Sequence, residues 1–329
     1  MKEFAYQRAV DVPGALALLG ADPDARFLGG GTNLVDLMKT GVERPGRLVD
    51  VRELPLDGIE STQDGGLRIG ATVTNSDLAA HPDVRRDYPA LTQAVLAGAS
   101  GQLRNMATVG GNLLQRTRCG YFADVSKPCN KRVPGSGCPA IEGEHHNHAI
   151  LGASDHCVAT HPSDLGVALT AFDAVVSYET VDGPGRLPLT EFYLPVGDTP
   201  HLETALPPGA LITGVTLPPS PVAANSRYRK VRERASYAFA IGSIAAALDV
   251  RDGVVQDVRL AFGAVASRPW RAHTAERALI GGPADAAAFA AAADAELAAA
   301  RPLPHNGYKV TLMRNLVIAV LSELAEEAR

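Results

Sequence analysis

Residues 26–34, Arg-Phe-Leu-Gly-Gly-Gly-Thr-Asn-Leu, join a short predicted strand at 25–28 to a helical pattern that begins at Leu34. Consecutive glycines let a backbone reach positive φ and approach a ligand closely, and their amides can form an anion-binding nest. The helix that follows directs the positive end of its dipole to the same place, which suits a pyrophosphate. The dinucleotide motif G-x-G-x-x-G is not met because residue 34 is Leu, and the Walker A lysine is missing. Alone, such a triplet is more often a tight strand–helix turn than a binding loop.

A second glycine-rich segment lies further along the chain. Residues 106–114, Met-Ala-Thr-Val-Gly-Gly-Asn-Leu-Leu, again place paired glycines beside Thr and Asn. Neither segment is specific by itself. Together they predict a ligand held from two sides by backbone amides and small polar side chains.

The cysteines are clustered. The chain has four, and all lie between residues 119 and 157 with the spacing C-x9-C-x8-C-x18-C: Cys119, Cys129, Cys138 and Cys157. Two disulfides are typical of small secreted domains, and structural zinc usually shows a closely spaced cysteine pair. Four thiolates can equally hold an iron–sulfur cluster, and Cys138-Pro139 is similar to the Cys-Pro pairing of ferredoxin motifs. The spacing alone leaves all three interpretations open.

Length and composition limit the class of protein. The chain has 329 residues, a formal charge of −5 and 46 % hydrophobic residues, which predicts a globular protein of two or three domains. The mild acidity argues against a binder of nucleic acid or of anionic membranes. No apolar run approaches the ~20 residues that a membrane-spanning helix needs. Residues 1–8 contain no apolar signal region, so we expect no signal peptide.

The chain divides into three predicted units. Residues 1–55 have the pattern of a small α/β unit, and residues 56–222 that of short strands and turns with a helix at 89–99. Within the second unit, about 115–160 form an irregular insertion, and long irregular segments are usually functional or disordered. Pro218-Pro-Ser-Pro221 marks the boundary before a third unit at 223–329.

Three segments together carry a family resemblance. Residues 26–34, 108–112 and Pro162-Ser-Asp-Leu165 resemble the FAD-binding subunits of the molybdenum hydroxylases, the xanthine dehydrogenase family. The four-cysteine insertion is similar to one in the flavin subunits of bacterial periplasmic aldehyde oxidoreductases, which holds an additional 4Fe-4S cluster. The resemblance covers essentially the whole chain. It implies an α+β fold, in which a PCMH-type FAD-binding fold of two α/β subdomains precedes a C-terminal α/β domain of the CO dehydrogenase flavoprotein type.

The resemblance also implies roles for residues at matching positions. Residues 27–34 would wrap the FAD pyrophosphate, residues 108–112 would face them, and Thr117 would add a hydroxyl. Asp164 would bind the sugar-alcohol region of the flavin, whereas Ile212 and Lys230 would lie near the isoalloxazine. The implied FAD-binding residues are Arg26, Phe27, Leu28, Gly29, Gly30, Gly31, Thr32, Asn33, Leu34, Thr108, Gly110, Gly111, Asn112, Thr117, Asp164, Ile212 and Lys230, and the implied cluster ligands are Cys119, Cys129, Cys138 and Cys157. No catalytic residue beyond the flavin is implied on this chain.

These residues also have plainer interpretations. Asp164 could cap a helix that begins at Leu165. Lys230 lies among arginines at 227, 229, 232 and 234, which is typical of a solvated basic face or a docking surface for an acidic partner. The cations at 116, 118, 127, 131 and 132 would offset the negative charge of a cluster. Five histidines between 145 and 161 invite a zinc interpretation, but the family pattern uses cysteines only.

The function implied is that of an electron-transfer subunit of a molybdenum-dependent aldehyde oxidoreductase. A large partner subunit with molybdenum cofactor would oxidise the aldehyde, and electrons would pass through a small 2Fe-2S subunit to this chain's FAD and then to an external acceptor. The 4Fe-4S cluster could lie on that route or be structural. We expect a heterotrimer exported to the periplasm on a partner's twin-arginine signal, or otherwise a cytoplasmic one. The alternatives are a stand-alone FAD oxidase and a zinc-binding interaction module.

Overall fold

The computed structural model describes residues 1–328 and contains three β-sheets covered by helices. The strands are β1 Ala5–Arg8, β2 Ala25–Leu28, β3 Arg47–Asp50, β4 Ile59–Ser61, β5 Leu67–Gly70, β6 Val175–Thr180, β7 Gly183–Pro188, β8 Leu211–Leu217, β9 Ser226–Val231, β10 Gly242–Arg251, β11 Val254–Gly263 and β12 Trp270–Arg271. The α-helices are α1 Val12–Gly20, α2 Leu34–Thr40, α3 Asn75–Ala80, α4 Pro82–Asp87, α5 Pro89–Ala97, α6 Gly101–Arg104, α7 Val109–Leu113, α8 Gly120–Ala123, α9 Asp164–Ala171, α10 Leu189–Phe192, α11 His273–Leu279, α12 Ala286–Leu297 and α13 Tyr308–Glu327, with a 3-10 helix at Pro221–Ala224.

The first sheet is parallel and small. Its order is β1-β3-β2, with Leu48 of the central strand paired to Tyr6 on one side and Arg26 on the other. Helix α1 begins where the Asp11 side chain accepts a hydrogen bond from the Gly14 amide (2.6 Å), and buries Leu16 against this sheet. The glycine triplet follows β2 directly, so the turn from β2 toward α2 lies at one edge of this sheet.

The second sheet is antiparallel, in the order β4-β5-β8-β6-β7. Its core is built with α5 and α9, and every residue of α9 from Leu165 to Ala171 is buried. The helix starts at Ser163, whose Oγ accepts from the Gly166 amide at 2.8 Å. Ser163 is thus the N-cap, and Asp164 is free to direct its carboxylate elsewhere.

The third sheet, β12-β11-β10-β9, is buried on both faces. Alternate residues of a strand point to opposite faces, and β10 shows this directly. Ala245 and Ala247 join the core around α9, whereas Ile244 and Leu248 join a second core under α11, α12 and α13. The small alanines let α9 approach the sheet closely, so the C-terminal helices and the second unit are held on one shared sheet.

The insertion is irregular apart from α8, yet it is tied firmly to the C-terminal part. Leu151 forms a bridge with Ala266, and the fully buried Asn306 donates to the carbonyl oxygens of His148 (3.3 Å) and Ala149 (3.2 Å). The buried amino group of Lys309 donates to the carbonyls of Asn147 and Ala264, both at 2.9 Å. The insertion is therefore part of the second predicted unit in sequence, but hydrogen bonds from the third unit hold its backbone in place.

The mixed helix and sheet content confirms the α+β class. Within residues 1–328 no helix combines the length and the apolar character needed to cross a membrane. The unit boundaries at 55 and 222 stay a proposal.

Candidate functional site

The two glycine-rich segments face each other across a groove. The groove consists of two cavities that meet at Thr32, Asn33 and Gly111. The Phe27 cavity, about 460 Å³, is lined by Phe27, the glycine triplet and Ile212; the Lys230 cavity, about 400 Å³, is lined by Lys230, Asp164 and residues 237–239. Each volume lies in the range of about 300–1,000 Å³ that is usual for small-molecule sites.

Close packing between the two segments explains the glycines. A Cβ added to Gly30 would overlap the carbonyl oxygen of Met106, and one added to Gly29 would lie 2.8 Å from Thr108 Oγ1. Gly31 has φ of +73°, a conformation that other residues rarely adopt. Thr108 caps α7 by accepting a hydrogen bond from the Gly111 amide (3.2 Å). The glycines thus let one backbone lie directly on the other at the centre of the groove.

Asn33 lies where the two cavities meet. Its Oδ1 accepts from the Arg116 amide at 2.9 Å, which fixes the orientation of the side chain. Its Nδ2 is buried and has no hydrogen-bond partner in residues 1–328. A buried donor without a partner costs free energy, so a ligand acceptor at this junction would stabilise the site.

The Lys230 cavity contains a buried ion pair. Lys230 Nζ lies 2.7 Å from Asp164 Oδ2, and the two side chains are 3 % and 10 % exposed. The Tyr228 hydroxyl donates to Asp164 Oδ1 (2.5 Å), and burial beside that carboxylate raises the Tyr228 pKa well above its usual value. Lys230 is therefore not part of a solvated face, although it stands among arginines. Of those arginines, Arg227 and Arg229 pair with Glu323 on α13.

Arg118 is a cavity residue that the sequence did not reveal. Its guanidinium lies 4.7 Å from the ring centroid of Phe239 and lines the Lys230 cavity. Desolvation by the surrounding protein lowers its pKa. It makes no hydrogen bond or ion pair with any of the described residues. The sequence predicts a place near the cysteines for Arg118, whereas its side chain lies in the groove.

Other cations of the insertion also form their ion pairs and hydrogen bonds with groups other than the cysteines. Arg116 pairs with Glu43 (2.7 Å) and Glu203 (2.9 Å), and Lys131 pairs with Glu203 (2.7 Å). Arg132 donates to backbone carbonyls of residues 121–127 and holds that turn together. Of these cations, Lys131 is the one that lines the cysteine cavity described below.

Two predicted cofactor residues lie apart from the Lys230 cavity. Thr117 is buried outside both halves of the groove, where its hydroxyl donates to the Thr160 carbonyl (2.9 Å) and accepts from the Cys119 amide (3.3 Å). Ile212 lines the Phe27 cavity, whereas Lys230 lines the other one. Ile212 and Lys230 therefore line different halves of the groove and Thr117 lies outside it, while the contacts of these three residues with the flavin stay a prediction.

The remaining predicted residues are brought together at the groove, except one. Leu28 packs beneath Gly31 and lines neither cavity. The predicted residues that line the groove are Arg26, Phe27, Gly29, Gly30, Gly31, Thr32, Asn33, Leu34, Thr108, Gly110, Gly111, Asn112, Asp164, Ile212 and Lys230. Residues as distant in sequence as Arg26 and Lys230 therefore form one continuous surface.

The four cysteines line a second, smaller cavity. Cys119, Cys129, Cys138 and Cys157 are all free thiols, and they surround it together with Lys131. A hydrogen bond from Cys157 lowers the Cys138 pKa to about 6, and the same bond together with burial raises the Cys157 pKa. Within residues 1–328 no group of three or more His, Cys, Asp or Glu side chains is arranged to hold a single metal ion.

Backbone amides also point at these sulfurs. The amides of Tyr121 and Phe122 act to lower the pKa of Cys119 and the Ala159 amide that of Cys157, although burial of both thiols outweighs them. Hydrogen bonds of this kind stabilise a thiolate. In addition, His148 Nε2 lies 3.2 Å from the Cys119 sulfur. The cavity is thus a set of four soft ligands with donors already placed around them.

Comparison with known protein families identifies the family to which this chain belongs. Residues 2–220 match the family described as the FAD binding domain in molybdopterin dehydrogenase, and residues 218–324 match the CO dehydrogenase flavoprotein C-terminal domain. This chain is an FAD-binding subunit of the molybdenum hydroxylase family. The resemblance drawn from the glycine loops is confirmed, as is the expected pairing of an FAD-binding fold with a flavoprotein C-terminal domain.

Individual relatives of this FAD-binding subunit agree. It is 52 % identical to the aldehyde oxidoreductase FAD-binding subunit PaoB of Escherichia coli K12 over 100 % of both chains. It is 25 % identical to the glyceraldehyde dehydrogenase medium chain of Sulfolobus acidocaldarius, covering 85 % of this chain and 82 % of that one. The subunit is therefore part of an oxidoreductase.

Solved structures share its fold. A carbon monoxide dehydrogenase chain from Hydrogenophaga pseudoflava superposes with a TM-score of 0.77 at 25 % identity over 99 % of both chains. A chain of quinoline 2-oxidoreductase from Pseudomonas putida 86 gives 0.77 at 23 % identity, over 99 % of this subunit and 98 % of that chain. At that identity the second likeness concerns the fold alone.

Proposed function

We propose that this FAD-binding subunit transfers electrons in a molybdenum-dependent aldehyde oxidoreductase, from iron–sulfur centres of a partner to its own FAD and on to an external acceptor. The observation that carries the proposal is the two-part groove whose halves meet at Thr32, Asn33 and Gly111, directly after the glycine triplet. The full-length similarity to an aldehyde oxidoreductase FAD-binding subunit supports aldehyde oxidation as the reaction of the assembly.

The residues of the groove fit FAD in one orientation. The diphosphate would lie at the junction, where close-packed glycine backbones and the unpartnered Asn33 amide supply donors. The isoalloxazine would lie in the Lys230 cavity and the adenosine in the Phe27 cavity. Phe27 and Ile212 would then contact the adenosine, and Asp164 and Lys230 the flavin side.

Charge distribution supports this orientation. Lys230, Arg118 and Arg234 are the cations that line the ring half, while the neighbouring carboxylates are Asp164 and Asp36. FAD, when bound, supplies exchange of one or two electrons at a time. Lys230 and Arg118 would stabilise negative charge at the ring, and Tyr228 would keep Asp164 oriented. Phe239 and Tyr237, which are 50 % and 60 % exposed, would cover the ring from water.

The cysteine cavity fits an iron–sulfur cluster by the chemistry of its donors. Thiolates are the usual ligands of such clusters, and hydrogen bonds to their sulfurs adjust the potential. We assign Cys119, Cys129, Cys138 and Cys157 as one ligand each to a 4Fe-4S cluster. Arg118 lines the flavin half of the groove and the next residue, Cys119, lines the cysteine cavity, so consecutive residues contact the two proposed cofactors.

The proposed partners follow from the family. A molybdenum-cofactor large subunit and a 2Fe-2S small subunit would complete a heterotrimer, and an external acceptor would remove the electrons. No nucleic acid takes part. We propose assembly before export to the periplasm on a signal carried by a partner subunit.

The test is direct. The subunit, purified anaerobically after co-expression with candidate partners, should elute with them and contain FAD, iron and acid-labile sulfide, and aldehyde should bleach its flavin absorbance. A subunit that elutes alone and reduces its flavin with substrate would instead be a stand-alone oxidase. A colourless protein that contains zinc would contradict both the flavin and the cluster.

A further inference from the structure

The hydrogen bonds around the cysteine cavity are not equivalent. Backbone amides lie near Cys119, Cys138 and Cys157 and act to lower the pKa of each thiol. Apart from the cysteines themselves, one side chain among residues 1–328 makes a hydrogen bond to a cysteine sulfur. That side chain is His148, whose Nε2 lies 3.2 Å from Cys119 Sγ. A backbone donor is retained whatever side chain the residue has. A side-chain donor can be removed or replaced, so it is a point at which the sequence can adjust the site.

The chemistry of the pair fixes which atom donates. A thiolate that binds iron carries no proton and can only accept a hydrogen bond. The proton of the contact must therefore be on His148 Nε2. The other ring nitrogen, Nδ1, is buried and without a partner in the described residues, which leaves an unpaired lone pair there.

The C-terminal part of the chain holds this histidine in place. Its backbone amide donates to the His145 carbonyl (3.0 Å), and its carbonyl accepts from Asn306 (3.3 Å). On one side, Asn147 is held by the buried Lys309. On the other, the Ala149 amide donates to the Val158 carbonyl (2.8 Å), next to Cys157. An imidazole on a backbone fixed from both sides keeps its distance to the sulfur.

We propose that His148 donates a hydrogen bond from Nε2 to the thiolate of Cys119 and thereby raises the reduction potential of the cluster. The inference rests on the cluster assigned under the proposed function. Reduction adds negative charge to the cluster, and a donor at a ligand sulfur stabilises that charge more than it stabilises the oxidised form. His148 acts through a ligand, so it is a tuning residue and not an iron ligand.

The test uses the complete complex and measures the cluster's midpoint potential by EPR-monitored redox titration. His148→Leu removes the donor, and His148→Gln retains an amide N–H near the position of Nε2. We expect the ratio of reduced to oxidised cluster at a fixed potential to fall about tenfold in His148→Leu, which is 59 mV for one electron. His148→Gln should recover most of it. His146→Leu, a change at an exposed histidine that stacks on Tyr308, should leave the potential unchanged.

The outcomes separate this inference from the proposed function. A wild-type complex without iron and sulfide would reject the cluster itself, and the hydrogen bond with it. A wild-type complex with its cluster, whose potential is the same in His148→Leu, would reject only the hydrogen bond. If His148→Leu loses iron, His148→Gln and the shorter His148→Asn carry the test. Equal potentials in those two variants would overturn the proposal.

Discussion

The Lys230 ammonium lies 2.7 Å from the Asp164 carboxylate, and this pair joins the start of α9 to β9 at the buried end of the groove. Because both side chains are almost fully buried, the loss of one leaves the other charge without its partner. Each charge can be buried beside the proposed ring site because the opposite charge lies next to it.

Lys230→Met should therefore destabilise the protein. We expect the free energy of unfolding to fall by about 3 kcal/mol, at the low end for a broken buried pair because Tyr228 still donates to Asp164. Urea unfolding of the FAD-free protein measures it, and Asp164→Asn added to Lys230→Met should restore part of the loss. Lys39→Met, at an exposed lysine 3.9 Å from Asp36, should change little. Equal effects of the two lysine variants would contradict a buried pair.

Gly30→Ala should separate the two glycine segments. The added methyl group would overlap the Met106 carbonyl, so one backbone must move away from the other. We expect FAD affinity to fall more than about tenfold, or ~1.4 kcal/mol, measured by fluorescence titration of FAD-free protein. Gly20→Ala is the matched control, because a Cβ at Gly20 meets nothing within 4 Å at the end of α1. A Gly30→Ala protein with normal affinity would mean that the diphosphate lies elsewhere.

Arg118→Gln should weaken FAD binding without loss of stability. The guanidinium has no polar partner among the described residues, so its removal breaks no ion pair in the FAD-free protein. A charged hydrogen bond contributes about 1.5–3 kcal/mol, which predicts a loss of affinity of about tenfold or more. Isothermal titration with FAD measures this, and Arg85→Gln, at an exposed arginine of α4, is the control. If both variants bind FAD like wild type, Arg118 does not contact the cofactor.

Cys129→Ser should reduce iron and acid-labile sulfide in the purified complex. The chain has no further cysteine to replace a lost ligand, since all four line the one cavity. Retention of FAD would show that the groove folds independently of the cluster. Val133→Ala, at an exposed residue of the same insertion, should retain the metal content of the wild type. Zinc without sulfide in the wild type would refute the cluster assignment.

Stability should rise between pH 7 and about pH 10, and Lys309 should cause part of that rise. Burial lowers the Lys309 pKa to about 7, against 10.5 for an ordinary lysine. Between these values the unfolded chain binds the extra proton, so stability increases with pH over that window. Lys309→Met should flatten the dependence of the urea midpoint on pH, whereas Lys127→Met, at an exposed lysine, should not. A dependence unchanged in Lys309→Met would show that the amine is charged when buried.

Much of the fold could be predicted from local sequence patterns. The amphipathic spacing at 310–328 predicts a helix, which is observed at 308–327, and the apolar runs at 241–250 and 254–264 predict two strands, which are observed at 242–251 and 254–263. The pattern does not predict strand β9 because arginines interrupt its alternation; Arg227 and Arg229 pair with Glu323, which is distant in sequence.

The site was predictable only where a residue's role is set by its neighbours in sequence. The two glycine segments and the cysteines were found in this way. The direction of Arg118, the true cap of α9 and the position of Ile212 depend on how distant elements pack. The sequence shows His148 as one of five histidines close to the cysteines, but its contact with Cys119, 29 positions away, depends on how the insertion folds.

The anchoring of the insertion by Asn306 and Lys309 has a consequence for biosynthesis. The segment that carries all four cysteines, residues 119–157, is translated well before residues 301–309. Until then the stretch from His145 to Leu151 lacks the side chains that hold it. The site of the proposed cluster would therefore take its final shape only after residues 301–309 have been translated, so iron and sulfide should be inserted after that point.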